Sequence, residues 1–136
     1  MDYLSELGVD ILYMTPVFCS GSSHKYNTDD YYAIDPSFGT KEDLRELVQK
    51  AHSRGMYVIL DGVFNHTSVN FFAFQDLKEK EEQSKYLDWY YPRSFPLTAR
   101  RGERPSYKTF SFVGGMPKLN LRNREAADFA IDLSLI

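Results

Sequence analysis

The sequence predicts an α/β fold in which parallel strands alternate with helices. Three observations carry that prediction. Val9 to Pro16 and Tyr57 to Phe64 are apolar runs rich in Val, Ile and Leu, the pattern of strands buried on both faces. Between them Leu44, Leu47, Val48 and Ala51 recur at i, i+3, i+4 and i+7, which gives a helix one apolar face. Gly55 closes that helix and the second strand follows at once, so strand, helix and strand form a βαβ unit with parallel strands and a right-handed crossover. Two parallel strands close neither a doubly wound sheet nor a (β/α) barrel, so the chain reads as part of a larger fold, cut at both ends.

Each element has its own local signal. Tyr3 to Leu7 reads as the last turns of a helix whose earlier part is missing, stopped by Gly8. Pro16 ends the first strand, and the polar stretch from Cys19 to Asp30 reads as a loop at its C-terminal end. Asp35-Pro36-Ser37-Phe38-Gly39-Thr40 reads as a connecting turn. Thr40 opens the helix, with Asp43 at capping-box spacing in place of the usual Glu or Gln. From Ser68 to Leu119 the periodicity is lost. Phe71, Phe72 and Phe74 lie close together, Lys78 to Glu82 reads as a solvated helix face, Tyr86 to Phe95 is dense in aromatics, and Arg100 to Pro105 is a basic turn region. An excursion of that length is too large for a βα loop and predicts a small subdomain. Asn123 is the expected N-cap of a last helix with Ala126, Phe129, Ala130 and Leu133 on one face. The expected division is therefore 1–67, 68–120 and 121–136.

Composition narrows the function. With 43% hydrophobic and 26% charged residues the chain is globular rather than disordered. A net charge of −3, mixed along the chain, gives no electrostatic footprint for nucleic acid or an anionic membrane. The single cysteine, Cys19, rules out an internal disulfide and fits a reducing compartment. Met1-Asp2-Tyr3 has no basic and apolar leader, and no apolar run is long enough to span a bilayer, so the expected location is cytoplasmic.

The chemistry concentrates at the end of the second strand. Asp61, Asn65 and His66 follow an apolar run, and burying Asp61 without partners costs on the order of several kcal/mol. Either these residues face a ligand at the mouth of a parallel sheet, or Asp61 caps a turn and His66 is merely exposed. The stretch His24 to Tyr32, after the first strand, lies at the same mouth. Its tyrosines can stack on a sugar face. Tyr31 and Tyr32 read more simply as rings packed back on the core, while His24 and Tyr26 stay open between the two readings. Asp29, Asp30 and Asp35 lack the alternate spacing and the glycine of a calcium loop, so no metal site is expected. A phosphate loop, a nucleophile elbow and zinc spacing among His24, His52 and His66 are all absent, and His52 reads as a surface residue of the helix.

The motif Asp61-Gly62-Val63-Phe64-Asn65-His66 resembles the first signature of the α-amylase family of glycoside hydrolases. His24-Lys25-Tyr26 and Asp35 to Thr40 resemble that family's loop after the second barrel strand. Met116-Pro117-Lys118-Leu119-Asn120 resembles the motif of its neopullulanase, cyclomaltodextrinase and maltogenic amylase branch, and Asp88-Trp89-Tyr90 and Tyr107-Lys108-Thr109-Phe110 resemble that branch's domain B. The resemblance runs in one consistent order along nearly the whole chain.

It implies a partial (β/α)8 TIM barrel: the end of helix 1, strand 2, helix 2, strand 3, an inserted domain B and helix 3. It implies an α-glucan or cyclodextrin substrate cleaved with retention at α-1,4 links, with cleavage of α-1,6 links left open. His66 is expected to hydrogen-bond the sugar, Tyr26 to stack on it and His24 to help hold it, with Asp61 and Asn65 shaping the site floor. In classical members the residue matching Asn65 binds calcium, but the neopullulanase branch generally does not use it so, and no cofactor is carried over. Asn27 stands where the branch often has Asp.

Retaining hydrolysis needs a nucleophile and an acid held about 5–5.5 Å apart. By the resemblance both lie beyond Ile136, so this chain is expected to carry no catalytic residue and to be inactive alone. The alternative is a non-catalytic sugar-binding product, or a subunit completed by another polypeptide. An immediate stop in the coding frame favours that alternative, and a continuing frame with an Arg-x-Asp motif favours part of an enzyme. Open sheet edges and uncovered helix faces also predict self-association.

Overall fold

A computed structural model describes residues 1–100 and 102–133. Its first half is a βαβ unit. Strand β1 (Ile11–Met14) pairs in parallel with β4 (Tyr57–Leu60), Ile11 opposite Tyr57 and Met14 opposite Leu60. A short α1 (Asp2–Glu6) precedes β1, and Gly8 leaves it with φ +80, a conformation an L side chain resists. Helix α2 (Lys41–His52) connects the two strands and packs on β4. Thr40 and Asp43 form the expected capping box. The Thr40 hydroxyl accepts from the Asp43 N–H, and the Asp43 carboxylate accepts from the Thr40 N–H at 2.8 Å. Arg54, just past α2, ties back to Asp2 with Nε 2.7 Å from Oδ1.

Between β1 and α2 lies a small antiparallel pair, β2 (Phe18–Cys19) with β3 (Asp30–Ile34), its register shifted between Phe18 and Cys19. The stretch from Cys19 to Asp30 is thus a loop closed by strand pairing at its base. Only two residues form β2, too few for the alternation that marks a strand. The turn from Asp35 is a 3-10 helix (Pro36–Phe38) with Asp35 as its cap.

The second half is irregular backbone around α3 (Phe72–Lys80) and ends in α4 (Arg124–Leu133). Asn123 caps α4 by accepting from the Ala126 N–H at 3.0 Å. Short ladders hold this half together. His66 bridges Lys118, Thr109 bridges Pro117 and Pro92 bridges Tyr107, so four separate segments lie side by side.

The core sits in this second half. Phe71, Phe74, Leu77, Trp89, Tyr90, Leu97, Tyr107, Leu119, Ala126 and Leu133 are all buried there, joined from the first half by Tyr31. Many of the core's rings meet edge to face, and others are tilted. Phe74 meets Tyr90 at 5.0 Å and Tyr107 at 4.9 Å, and Trp89 meets Tyr86 at 5.0 Å and Phe129 at 5.5 Å.

Three expectations are corrected. The strands are not buried on both faces: Tyr57 is 69% exposed and Tyr13 64%, with Ile11 and Ile59 exposed on the same face. Helix α2 covers only one side of a two-stranded sheet, so alternate residues have nothing to pack against. The second strand ends at Leu60 rather than Phe64, which puts Asp61 just beyond it. Tyr32 is exposed rather than packed on the core, because its neighbour Tyr31 takes the inward position of β3. Of the expected 121–136 segment, residues 134–136 lie outside the described residues, as does Arg101 of the basic turn.

Candidate functional site

Asp61 continues the ladder by one bond, its N–H donating to the Met14 carbonyl at 3.0 Å. Its side chain then turns to two phenols. The Tyr26 hydroxyl donates to Asp61 Oδ2 at 2.8 Å, and the Tyr13 phenol lies close enough to feel the same carboxylate. The carboxylate raises both phenols above their ordinary value of 10.0, because ionising either would set a second negative charge beside the first and break its hydrogen bond.

Tyr26 is placed by a tightly held loop. Lys25 takes φ 62, a strained conformation for a non-glycine residue, which sends its ammonium inward. There Nζ lies 2.8 Å from Asp35 and donates to the Ser20 carbonyl at 3.2 Å, with both side chains of the ion pair nearly buried. Asp35 also accepts from the Ser37 N–H at 3.0 Å and the Ser20 N–H at 3.3 Å. The Lys25 ammonium, with the Ser37 hydroxyl and these amides, holds its carboxyl far below the usual carboxylate range. Ser20 reaches across the loop to the Asn27 carbonyl at 2.8 Å. The turn expected at Asp35 is thus also the anchor of the Tyr26 loop. His24 is exposed on the same loop, its Nδ1 accepting from the Tyr26 N–H at 3.1 Å and its ring 6.0 Å from that of Tyr26.

His66 is buried, at 4% exposure, which removes the reading of it as a merely exposed residue. Its ring lies against Phe110, with centroids 4.9 Å apart and planes 21° from parallel. Nε2 sits 2.9 Å from the Tyr26 carbonyl, and Nδ1 sits 3.1 Å from the Asn65 side-chain nitrogen. A carbonyl can only accept and an amide nitrogen can only donate, so the neutral ring carries its hydrogen on Nε2. Burial, reinforced by the Lys118 charge, holds the imidazole below its ordinary 6.5 against the opposing Tyr26 bond. The Asn65 carbonyl oxygen accepts from the Lys118 ammonium. Tyr31, buried beneath, donates its one hydroxyl hydrogen to the Val63 carbonyl at 2.6 Å, with the His66 carbonyl sharing it at 3.1 Å, which fixes the backbone of the motif.

The fold therefore joins Asp61, Asn65 and His66 to Tyr26, with His24 beside it, over separations of 35 residues for Asp61 to Tyr26 and 40 for His66 to Tyr26. Tyr13, Phe110 and Lys118 complete the cluster and carry no site role in the sequence reading. Phe110 and Lys118 lie in segments whose resemblance to a family motif was their only signal, and Tyr13 reads as an ordinary strand residue. A calcium ion does not fit at Asn65, since its oxygen already faces an ammonium that would repel a cation. The cluster offers a carboxylate, two phenols, partly exposed rings of Tyr26 and Phe110, and a neutral imidazole. These are groups for binding polar, flat-faced ligands.

The comparisons agree with the motifs. A profile of the alpha amylase catalytic domain matches residues 1–125. Neopullulanase 2 of Thermoactinomyces vulgaris is 48% identical over 135 residues, covering 98% of this chain and 23% of the relative. A cyclomaltodextrinase of Geobacillus thermopakistaniensis is 46% identical over 134 residues, covering 98% and 22%. Among solved structures, the type III pullulan hydrolase from Thermococcus kodakarensis superposes with a TM-score of 0.91 at 44% identity, over 98% of this chain and 23% of its own. The chain spans less than a quarter of these relatives' length. With nearly all of its length matched by the family profile and by relatives of the neopullulanase and cyclomaltodextrinase kind, the chain belongs to the alpha-amylase catalytic domain family.

Proposed function

We propose that this chain forms one wall of the α-glucan cleft of a retaining glycoside hydrolase of the neopullulanase or cyclomaltodextrinase type. In this reading β1 and β4 are barrel strands 2 and 3, residues 68–120 are domain B, and α4 is barrel helix 3. The setting is cytoplasmic, in keeping with one free cysteine and with described helices none of which is long and apolar enough to cross a membrane. His66, Tyr26 and His24 contact the sugar, and Asp61 and Asn65 shape the floor. One observation carries the reading: Tyr26 and His66, from loops far apart in sequence, share a hydrogen bond beside the Asp61 carboxylate. A pyranose has an apolar face for the half-exposed Tyr26 ring and hydroxyls for the Asp61 carboxylate.

The chemistry needs a second carboxyl about 5–5.5 Å from the first. Asp61 is engaged by the Tyr26 phenol instead, so in this reading the catalytic pair comes from elsewhere in the enzyme. The exposed face of Ile11, Tyr13, Tyr57 and Ile59 supports self-association of the chain when it is alone. The test is reducing-sugar release from a cyclodextrin by the purified 136-residue chain, beside a longer polypeptide that supplies the following barrel strands. Activity in the longer protein only is the expected result. Turnover by the short chain that survives rigorous purification and disappears in His66→Ala would overturn the assignment of the catalytic carboxylates.

A further inference from the structure

Lys118 has no role in the reading above, yet it ends a continuous chain of hydrogen bonds that begins at the sugar-contact loop. The Lys118 ammonium donates to Asn65 Oδ1, Asn65 Nδ2 lies 3.1 Å from His66 Nδ1, and His66 Nε2 lies 2.9 Å from the Tyr26 carbonyl. The two ends of this chain have no freedom: an ammonium only donates and a carbonyl only accepts. Every hydrogen between them therefore points one way, from Lys118 toward Tyr26. Reversing the Asn65 amide would set its NH2 against the ammonium and its oxygen against Nδ1, losing both bonds. We propose that Lys118 is a positioning residue that orients the Asn65 amide and thereby holds His66 in the Nε2–H form, clamped to the backbone of Tyr26.

Three further features support this. Lys118 is held in place by its own backbone, since its N–H donates to the Lys108 carbonyl at 2.9 Å and the adjacent Leu119 N–H donates to the Asn65 carbonyl at 3.0 Å. The lysine and the amide it orients thus ride on neighbouring rungs of one ladder. The competing cation, Lys108, sits 5.0 Å over the Tyr91 ring instead. Phe110 lies against the His66 ring, which limits rotation of the imidazole out of the chain of bonds. The inference rests on the proposed site because it concerns how Tyr26 and His66 are held for a sugar, but its test needs no sugar.

The test is long-range proton–nitrogen correlation NMR of the His66 ring in the 136-residue chain. Wild type is expected to show one neutral form, with hydrogen on Nε2. Lys118→Met keeps an unbranched four-atom stem and removes the donor, and the ratio of the Nε2–H to the Nδ1–H form should fall about tenfold, the size of one lost charge-assisted hydrogen bond. Lys118→Arg, which restores a cationic donor, should recover the wild-type ratio. A wild-type ring that carries its hydrogen on Nδ1 would overturn the inference whatever the variants do. So would a folded Lys118→Met protein with an unchanged ratio. The readout is independent of ligand, so a locked ring in a chain that binds no α-glucan would sink the proposed function and leave the role of Lys118 standing.

Discussion

Tyr57 and Trp89 are both large aromatic residues, yet Tyr57 is 69% exposed and Trp89 is 6% exposed. The difference separates the two halves of the chain. The βαβ half has the regular periodicity, with a capped amphipathic helix and two apolar strands, yet its buried apolar side chains Val17, Ala51, Met56 and Val63 stand outside the main core cluster. The irregular half has no periodicity to read and contains the main aromatic core cluster apart from Tyr31. Regular patterns report how a segment would pack if a partner surface were present. The core reports where partner surfaces are present, and here aromatic rings from loops supply them to one another.

That contrast predicts a steep difference in sensitivity. Phe74→Ala removes a ring that is 1% exposed and touches both Tyr90 and Tyr107, so it should cost about 3–5 kcal/mol in urea unfolding. In the other half the loss of a local bond at the helix start is expected to cost less. Thr40→Ala breaks the capping box of α2 and should cost about 1 kcal/mol by the same measurement. A smaller effect is expected at the join between the halves. His66 is held below its ordinary 6.5 by burial, so the unfolded chain takes up the proton first as pH falls. Its contribution to stability is complete above 6.5 and is lost progressively below it, and His66→Gln should flatten that limb of the urea midpoint against pH. The smallest effect belongs to the open sheet face. Ile59→Ser should stay within about 0.5 kcal/mol, because that side chain is already 47% exposed. A loss there as large as that of Phe74→Ala would mean that the face is covered in solution, and would erase the contrast between the halves.

What the sequence made legible follows the same line. The capping box at Thr40, the N-cap at Asn123 and the parallel pairing of β1 with β4 depend on residues close in sequence or on a short crossover, and all three are present. The clustering of Asp61 with Tyr26, and of His66 with Lys118, depends on bonds across long loops, for which periodicity carries no signal. Family motifs pointed to most of those segments but not to the contacts within them. Lys25 and Asp35 illustrate the gap: each looks like an ordinary loop residue, and together they form the nearly buried ion pair that anchors the Tyr26 loop. The exposure of Tyr57 and Ile59 was not legible either, since an apolar strand looks the same in sequence whether or not its second face is covered.

The most direct test of the sugar-binding wall is chemical-shift mapping of the 136-residue chain with maltotriose. The account predicts saturable shifts that centre on Tyr26, Asp61 and His66 and are lost in Tyr26→Ala, while the buried core around Phe74 and Trp89 stays unmoved. Saturable shifts confined to other parts of the surface, or none at these three residues up to the solubility of the sugar, would contradict it.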